Sequence, residues 1–317
     1  MKESDEFSIL EELFQNLGSQ YNDSSDLLIG PGDDSGLFSN RKSDLIFSTD
    51  LAVSGIHFPR NLSADLIAFR ACAIAASDIP ACGGELKWIS ISLVTASKDI
   101  QWLEKFSLGI KEFTDLYKIP VIGGDLSLGK ECCVSVGVCG KIEKNNFLRR
   151  SGAKANDSIF ITGEIGQAYL GLKLYEKNKS NLSADEKTYY YRYLKPELRT
   201  NLATDLPSIA NSCIDVSDGL LADLGHICSQ SKLKANLDLE LIPYIGDYNN
   251  ALAWGDDYEL CFTANSNNEN QILNLGKKHN LKVTKIGEMA QGEGVNLFKD
   301  GKSINLERSG YNHFSNG

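Results

Sequence analysis

Residues 212–230 read SCIDVSDGLLADLGHICSQ. A short apolar run delivers Asp215, the turn Ser217-Asp218-Gly219 follows, and apolar residues then recur at helical spacing. Ser217 or Asp218 can cap that helix, because a short oxygen side chain accepts from the unpaired N–H groups of a first turn. Capping explains Asp218 and leaves Asp215 over. Asp223 lies inside the helix and reads as a solvated or locally bonded side chain, and His226, in its apolar run, as structural. A strand that ends in a carboxylate just before a helix is how mixed α/β proteins present oxygen ligands at one rim of a sheet.

The same device recurs along the chain. Asp33-Asp34 stand in GPGDDSG (30–36), Asp50 in FSTDL (47–51), Asp78 in AASDIP (75–80), Asp125 in VIGGDLS (121–127), and Asp256-Asp257 in WGDDYEL (254–260). Any one of these suits a turn or a cap, where Asp is favoured for local hydrogen bonding. As a set they match what hard divalent cations want: Mg²⁺ binds through a few carboxylates plus substrate phosphates. GPGDDSG sharpens the point. Its glycines suit a phosphate-cradling loop, but it carries two carboxylates and no lysine, so a cation must stand between loop and phosphate.

The bulk properties agree with this reading. At 317 residues the chain is long enough for two domains, and 42% hydrophobic with 23% charged residues is a globular composition. The net charge of −10, with no basic run, argues against a nucleic-acid or anionic-membrane surface, and a small anionic substrate would need metal ions as intermediaries. The start, MKESDEFSILEELF, lacks the basic and apolar regions of a signal peptide, and no apolar run approaches membrane-spanning length, so the expected compartment is the cytoplasm. Eight scattered cysteines without a C-x-x-C pair read as reduced thiols.

Periodicity gives an opening helix over 7–17, a strand at 45–49, and an alanine-rich helix after Ser63. A strand over 86–95, a helix over 99–117 and strands at 119–124 and 132–142 follow. The pattern lapses over 143–157, polar and turn-rich, where the domain boundary is placed: residues 1–147 as an N-terminal domain and 148–317 as a C-terminal domain. The second half reads as a strand at 158–163 and helical segments at 167–177, 183–194 and 201–211. A strand, a helix at 219–230, strands at 235–242 and 258–264, a helix at 268–279, a strand at 281–287 and a hairpin turning on Asp300-Gly301 complete it. The fold class is α+β (mixed α/β) in two domains.

The hairpin holds Gly-Lys-Ser, but Asn296 stands where a P-loop needs its first glycine and no helix follows. No Rossmann fingerprint, H-E-x-x-H or G-x-S-x-G occurs. His57 in SGIHFPR reads as a catalytic base, a substrate ligand or a partly buried loop histidine. Arg149-Arg150 reads as a phosphate-recognising pair or an exposed linker, and Trp254 as a ring-stacking or a core residue.

The ordered set GDD, STD, GIHF, SD, GGD, RSGAK-x-x-D, TG-x-x-G, ID-x-SDGL-x-x-DLGHI, GDDYEL and GY-x-HF, spread over residues 5–314, resembles the thiamine-monophosphate kinase family of the aminoimidazole ribonucleotide synthetase-like superfamily. The resemblance implies ATP-dependent phosphorylation of thiamine monophosphate to thiamine diphosphate. It also implies a homodimer paired through the N-terminal sheets, with the active site between the N- and C-terminal domains. Position by position it implies Mg²⁺ ligands at Asp34, Ser48, Thr49, Asp50, Asp78, Asp125, Asp215 and Asp218, ATP contacts at Gly124, Asp125, Arg150 and Ser217, and substrate contacts at His57, Asp256 and Tyr311. Departures from the family pattern are Asp256 where Glu is common, Leu126 for a usual threonine, Asn312 for the aspartate of GYDHF, and Pro31. No general base is expected, since a phosphate monoester with a second pKa of about 6 is already largely ionised near neutrality. Selenophosphate synthetase is disfavoured because no cysteine precedes Cys72, and aminoimidazole ribonucleotide synthetase lacks the GDDYEL and GYNHF signatures. A magnesium phosphohydrolase using the same aspartates, or another ATP-dependent synthetase of the superfamily, is the alternative.

Overall fold

The computed structural model describes residues 27–29, 33–38, 43–96, 98–178, 181–306 and 310–311. The helix expected over 7–17 and the departures at Pro31 and Asn312 lie outside them.

The first sheet is built from β1 (Leu27–Ile29), β2 (Gly36–Phe38), β3 (Asp44–Val53), β4 (Glu85–Thr95), β5 (Val121–Leu128) and β6 (Cys133–Ile142), in the order β1-β2-β3-β6-β4-β5. The β4–β5 pair is parallel, and α3 supplies the crossover that such a pair requires. Among the described residues of this half, three helices accompany it: α1 (Ala64–Ala76), α2 (Asp78–Ala81) and α3 (Ile100–Tyr117). The small side chains of α1 allow a very close approach to α3, where a Cβ on Gly109 would come within 2.0 Å of the Asp65 carbonyl oxygen. The core lies on one face, where Ile46, Ile89, Ile91, Val134, Val136 and Val138 meet α1. The opposite face leaves Phe47 and Leu51 exposed, and the edge strand β5 is exposed along its whole length.

The second half contains β7 (Asp157–Thr162), α4 (Gln167–Glu176), α5 (Ala184–Leu194), α6 (Thr200–Ala203), β8 (Ala210–Asp215), α7 (Leu220–Ser231), β9 (Lys234–Asp238) and α8 (Tyr248–Ala253). It ends with β10 (Leu260–Asn265), α9 (Glu269–Lys278), β11 (Val283–Ala290), β12 (Gly294–Lys299) and β13 (Lys302–Ile304). Its seven strands run β13-β12-β9-β11-β7-β10-β8. Both faces are covered: Ile159 and Ile161 pack toward α7, while Phe160 and Phe262, stacked with centroids 5.4 Å apart, pack with Leu202 and Ile272 on the other side. That is why every residue of β7 is buried.

Two sequence expectations change. The helix expected over 201–211 stops after Ala203, and Pro207, which has no N–H to donate, sits in a 3₁₀ turn, after which the chain is extended from Ala210. The strand expected to reach 242 ends at Asp238 in a turn. The short strands β1 and β2 and the helices α2 and α8 were not foreseen. All eight cysteines are free thiols, and burial raises Cys72 to about 12 and Cys132 to about 11. The two sheets give the expected mixed α+β architecture.

Candidate active site

Four segments bring carboxylates to one end of a cleft of about 860 Å³. Asp34 comes from the turn before β2, Asp50 from β3, Asp78 from the first turn of α2, and Asp215 from the end of β8. Asp34, Asp78 and Asp215 each offer an oxygen within 4.8 Å of the others. In β3, period-2 alternation puts Ser48 and Asp50 on the face of the buried Ile46, and the side chain of Thr49 on the face of Phe47 and Leu51. Ser48 Oγ donates to Asp78, and Ser77 Oγ donates to Asp215 Oδ2 at 2.6 Å.

These carboxylates strain against one another. Burial, then the Asp34 charge, raises Asp215 to about 7, while burial followed by the charges of Asp50 and Asp215 pushes Asp78 well above the carboxylate range. Asp50, which opens toward solvent, is also raised, first by desolvation in the cleft and then by Asp34. Arg150 is the cation among the described residues that touches this cluster, donating from Nε to Asp34 Oδ1 at 3.1 Å and again from a terminal nitrogen, while its backbone N–H reaches Asp33 Oδ1 at 2.9 Å. The linker reading of Arg150 is therefore set aside, and Asp33 is a second-rank partner that positions Arg150. A hard-oxygen donor set with more negative than positive charge fits divalent cations such as Mg²⁺.

The opening stretch departs from its sequence reading at the cap: Gly219, and not Ser217 or Asp218, is the N-cap of α7, with no side-chain cap bond. Asp223, 2% exposed, is locally bonded and not solvated: its Oδ2 accepts from the backbone N–H groups of Ser217, Asp218 and Gly219 at 3.0, 3.1 and 3.1 Å. This carboxylate takes the place of an N-cap side chain and holds the turn, leaving Ser217 and Asp218 on the cleft wall. The turn packs on the GDDYEL loop through Asp256 N to Ser217 O at 2.8 Å and Tyr258 N to Val216 O at 2.9 Å. Gly255, at φ +88°, is required there, since a Cβ would lie 2.1 Å from the Ser217 carbonyl oxygen. Tyr311 N donates to Asp218 O at 2.9 Å and brings its ring to the same wall. His226 borders the acidic end, its ring pushed toward the neutral form by burial and by Arg150.

Away from the cluster of Asp34, Asp78 and Asp215, the cleft carries apolar and aromatic side chains around Asp256. Ile56, His57, Leu172, Tyr193 and Trp254 line this part, and Trp254 packs on Tyr169 with centroids 5.0 Å apart. The Val53 N–H donates to His57 Nδ1 at 3.0 Å, so the neutral imidazole carries its hydrogen on Nε2. Of the residues singled out in the sequence, Asp34, Ser48, Thr49, Asp50, His57, Asp78, Arg150, Asp215, Ser217, Asp218, Asp256 and Tyr311 all border this cleft. Gly124 and Asp125 do not; they lie on β5. Arg70 and Tyr193 were missed: a single arginine inside SADLIAFRACAIAASD was the available signal.

Two family models match, the AIR synthase related protein N-terminal domain over residues 32–142 and its C-terminal domain over 154–300. The thiamine-monophosphate kinase of Buchnera aphidicola subsp. Schizaphis graminum is 37% identical across 98% of this chain and 99% of its own length, and that of Escherichia coli K12 is 34% identical across 98% of each. Among solved structures, "AaThiL complexed with AMPPCP and TMP" superposes with a TM-score of 0.81 at 29% identity, covering 99% of this chain and 98% of its own. Thiamine-monophosphate kinase from Stenotrophomonas maltophilia K279a gives 0.77 at 32%, covering 94% and 98%. Similarity of this extent, running the length of both chains, shows that this chain belongs to the thiamine-monophosphate kinase family, built on the two AIR synthase related domains.

Proposed function

We infer that this ATP-dependent phosphotransferase moves the γ-phosphoryl group of ATP onto the phosphate of thiamine monophosphate, giving thiamine diphosphate and ADP. The observation that carries the reading is the convergence of Asp34, Asp78 and Asp215 within 4.8 Å at one end of a cleft whose other end carries aromatic side chains around Asp256. In a chain of this family, such a cleft suits polyphosphate at the acidic end and an organic ring system at the other.

The acceptor is a phosphate oxygen, so nothing need remove a proton from it. It forms a new P–O bond to the γ-phosphorus as the bond to the β-phosphate bridging oxygen breaks, and the electron pair leaves on ADP. Mg²⁺ ions, when bound, supply the positive charge that lets two polyanions approach in line. Asp34, Ser48, Asp50, Asp78 and Asp215 are the ligands proposed for them, with Thr49 and Asp218 at the margins. Arg150, held on Asp34, and Ser217 are the proposed nucleotide contacts, and His57, Asp256 and Tyr311 those for thiamine monophosphate. Transfer is direct, with no phosphoenzyme.

Gly124 and Asp125 are proposed to serve the site of a partner subunit. Asp125 aligns through Ser92 and Ser135 with Leu51, so it lies on the sheet face opposite Asp50 and three strands away, about 14 Å at the usual strand spacing. One ion cannot bridge the two within a chain. Leu51 at 53% and Phe47 at 44%, exposed on the face that carries Asp125, together with the exposed edge strand β5, favour a homodimer paired through this face.

Incubation with ATP, Mg²⁺ and thiamine monophosphate tests the reading, with thiamine diphosphate and ADP rising together as the expected outcome. Free phosphate rising without thiamine diphosphate would instead mark the phosphohydrolase. No helix among the described residues is long and apolar enough to cross a membrane.

A further inference from the structure

Arg70 is the charged side chain of α1 that turns inward, 1% exposed in a helix whose other residues, Asp65 apart, are small or apolar. Burying a guanidinium is unfavourable unless its donors are used, and here all three nitrogens are. Nε donates to the His57 carbonyl oxygen at 3.1 Å, one terminal nitrogen to the Tyr193 carbonyl oxygen, and the other to Asp256 Oδ2 at 2.5 Å. The guanidinium also lies 4.3 Å from the centroid of the Tyr193 ring.

The three acceptors come from separate parts of the chain: the loop after β3, the end of α5, and the loop before β10. Two of them are positions at which the substrate contacts are proposed. The GDDYEL loop needs an outside hold, because Gly255, Asp256 and Tyr258 all have positive φ, at 88°, 67° and 51°. Tyr258 OH takes the other Asp256 oxygen at 3.0 Å. Asp256 is thus gripped on both oxygens by protein groups, and the shorter side chain at this position reaches Arg70.

We propose that Arg70 is a positioning residue for the substrate end of the cleft, fixing the His57 loop and the Asp256 loop in a single arrangement through one planar, three-nitrogen fork. Lysine cannot replace it, since a single ammonium on a flexible stem reaches one or two of these acceptors and not all three. The acidic end draws none of its contacts from Arg70, so the nucleotide side is reached only indirectly, through the bond from Asp256 N to Ser217 O, and is perturbed less.

The proposal rests on the reading of His57 and Asp256 as substrate contacts, and two measurements separate its failure from that of the assigned reaction. The first compares steady-state constants of the wild type, Arg70→Met and Arg70→Lys. The expected result is a KM for thiamine monophosphate raised about ten-fold or more in Arg70→Met and less in Arg70→Lys, with the KM for ATP within about two-fold of wild type. The second is amide hydrogen exchange on the same proteins without substrate, where exchange should quicken in residues 54–58 and 255–258 and stay unchanged in β7 and β10. A folded Arg70→Met protein with wild-type KM for thiamine monophosphate and wild-type exchange in both loops overturns the proposal. Should the wild type make no thiamine diphosphate, the assigned reaction fails, and the exchange pattern alone decides the role of Arg70. If Arg70→Met does not fold, Arg70→Lys carries both comparisons, and wild-type values in it are the contrary result.

Discussion

Asp215 is pulled in two directions by its surroundings. Burial and the charge of Asp34 raise its carboxyl to about 7, so without a metal the folded protein holds a proton that the unfolded chain releases at lower pH. Stability from that proton is complete below the ordinary carboxylate range, about 4, and is lost as pH rises through about 7. The melting temperature of the metal-free protein should therefore fall as pH is raised across this window, and Mg²⁺ should flatten the curve, as thermal scans with and without the ion would show. Asp215→Asn removes the crowded charge while keeping an acceptor for Ser77. It should raise metal-free stability at pH 8 by roughly 1–3 kcal/mol and lower turnover at least about 100-fold, the usual trade-off at a strained site. A variant that is both active and no more stable would show that Asp215 is only a turn residue.

The two loops that meet on the cleft wall, 216–219 and 255–259, hold each other by backbone hydrogen bonds, and buried carboxylates anchor them, Asp223 for the first and Glu259, bonded to Arg199 and Thr162, for the second. Asp223→Ala leaves three backbone N–H groups without their acceptor, so urea unfolding should show a loss of roughly 2–4 kcal/mol, with a weaker affinity for ATP through displaced Ser217. Much of this was legible in the sequence, because the recurrence of aspartates after apolar runs exceeds what turns and caps require and the Gly-rich turns mark where strands end. What Asp223 does was not: it caps from four to six residues downstream of the N–H groups it accepts from, a role that appears only once the helix is formed. Pro207 marks the break that the apolar spacing over 201–211 conceals: the helix ends at Ala203, and Pro207 sits in the 3₁₀ turn that follows. Thr49 sits in a motif shared with Ser48 and Asp50, yet the strand period sends its side chain to the other face, which a motif alone does not disclose.

Across the whole molecule, the first hydrophobic core draws residues from both halves of the sequence. Helices α4 and α5 follow the first strand of the second sheet, but Ala168, Tyr193, Leu194 and Leu198 are buried in the core of the first. Arg70 and Tyr193 meet only through this crossing, which no local pattern in α1 or α5 announces. The exposed β5 edge carries the other long-range expectation. Leu51→Asp, on the sheet face that carries Asp125, should convert a dimer to a monomer in light scattering, and Asp125 would lose its proposed place in the neighbouring site. A mixture of Asp50→Asn and Asp125→Asn chains, each inactive alone, should regain about a quarter of wild-type turnover after subunit exchange, because half the dimers are mixed and each mixed dimer has one intact site. Ligands supplied within one chain would give no recovery. The reaction itself is tested most directly by following the phosphorus: with thiamine monophosphate, Mg²⁺ and ATP labelled in its γ-phosphate, the label should appear in the terminal phosphate of thiamine diphosphate, one for each ADP formed. Label found in free phosphate or bound to the protein, with thiamine monophosphate unchanged, would contradict it.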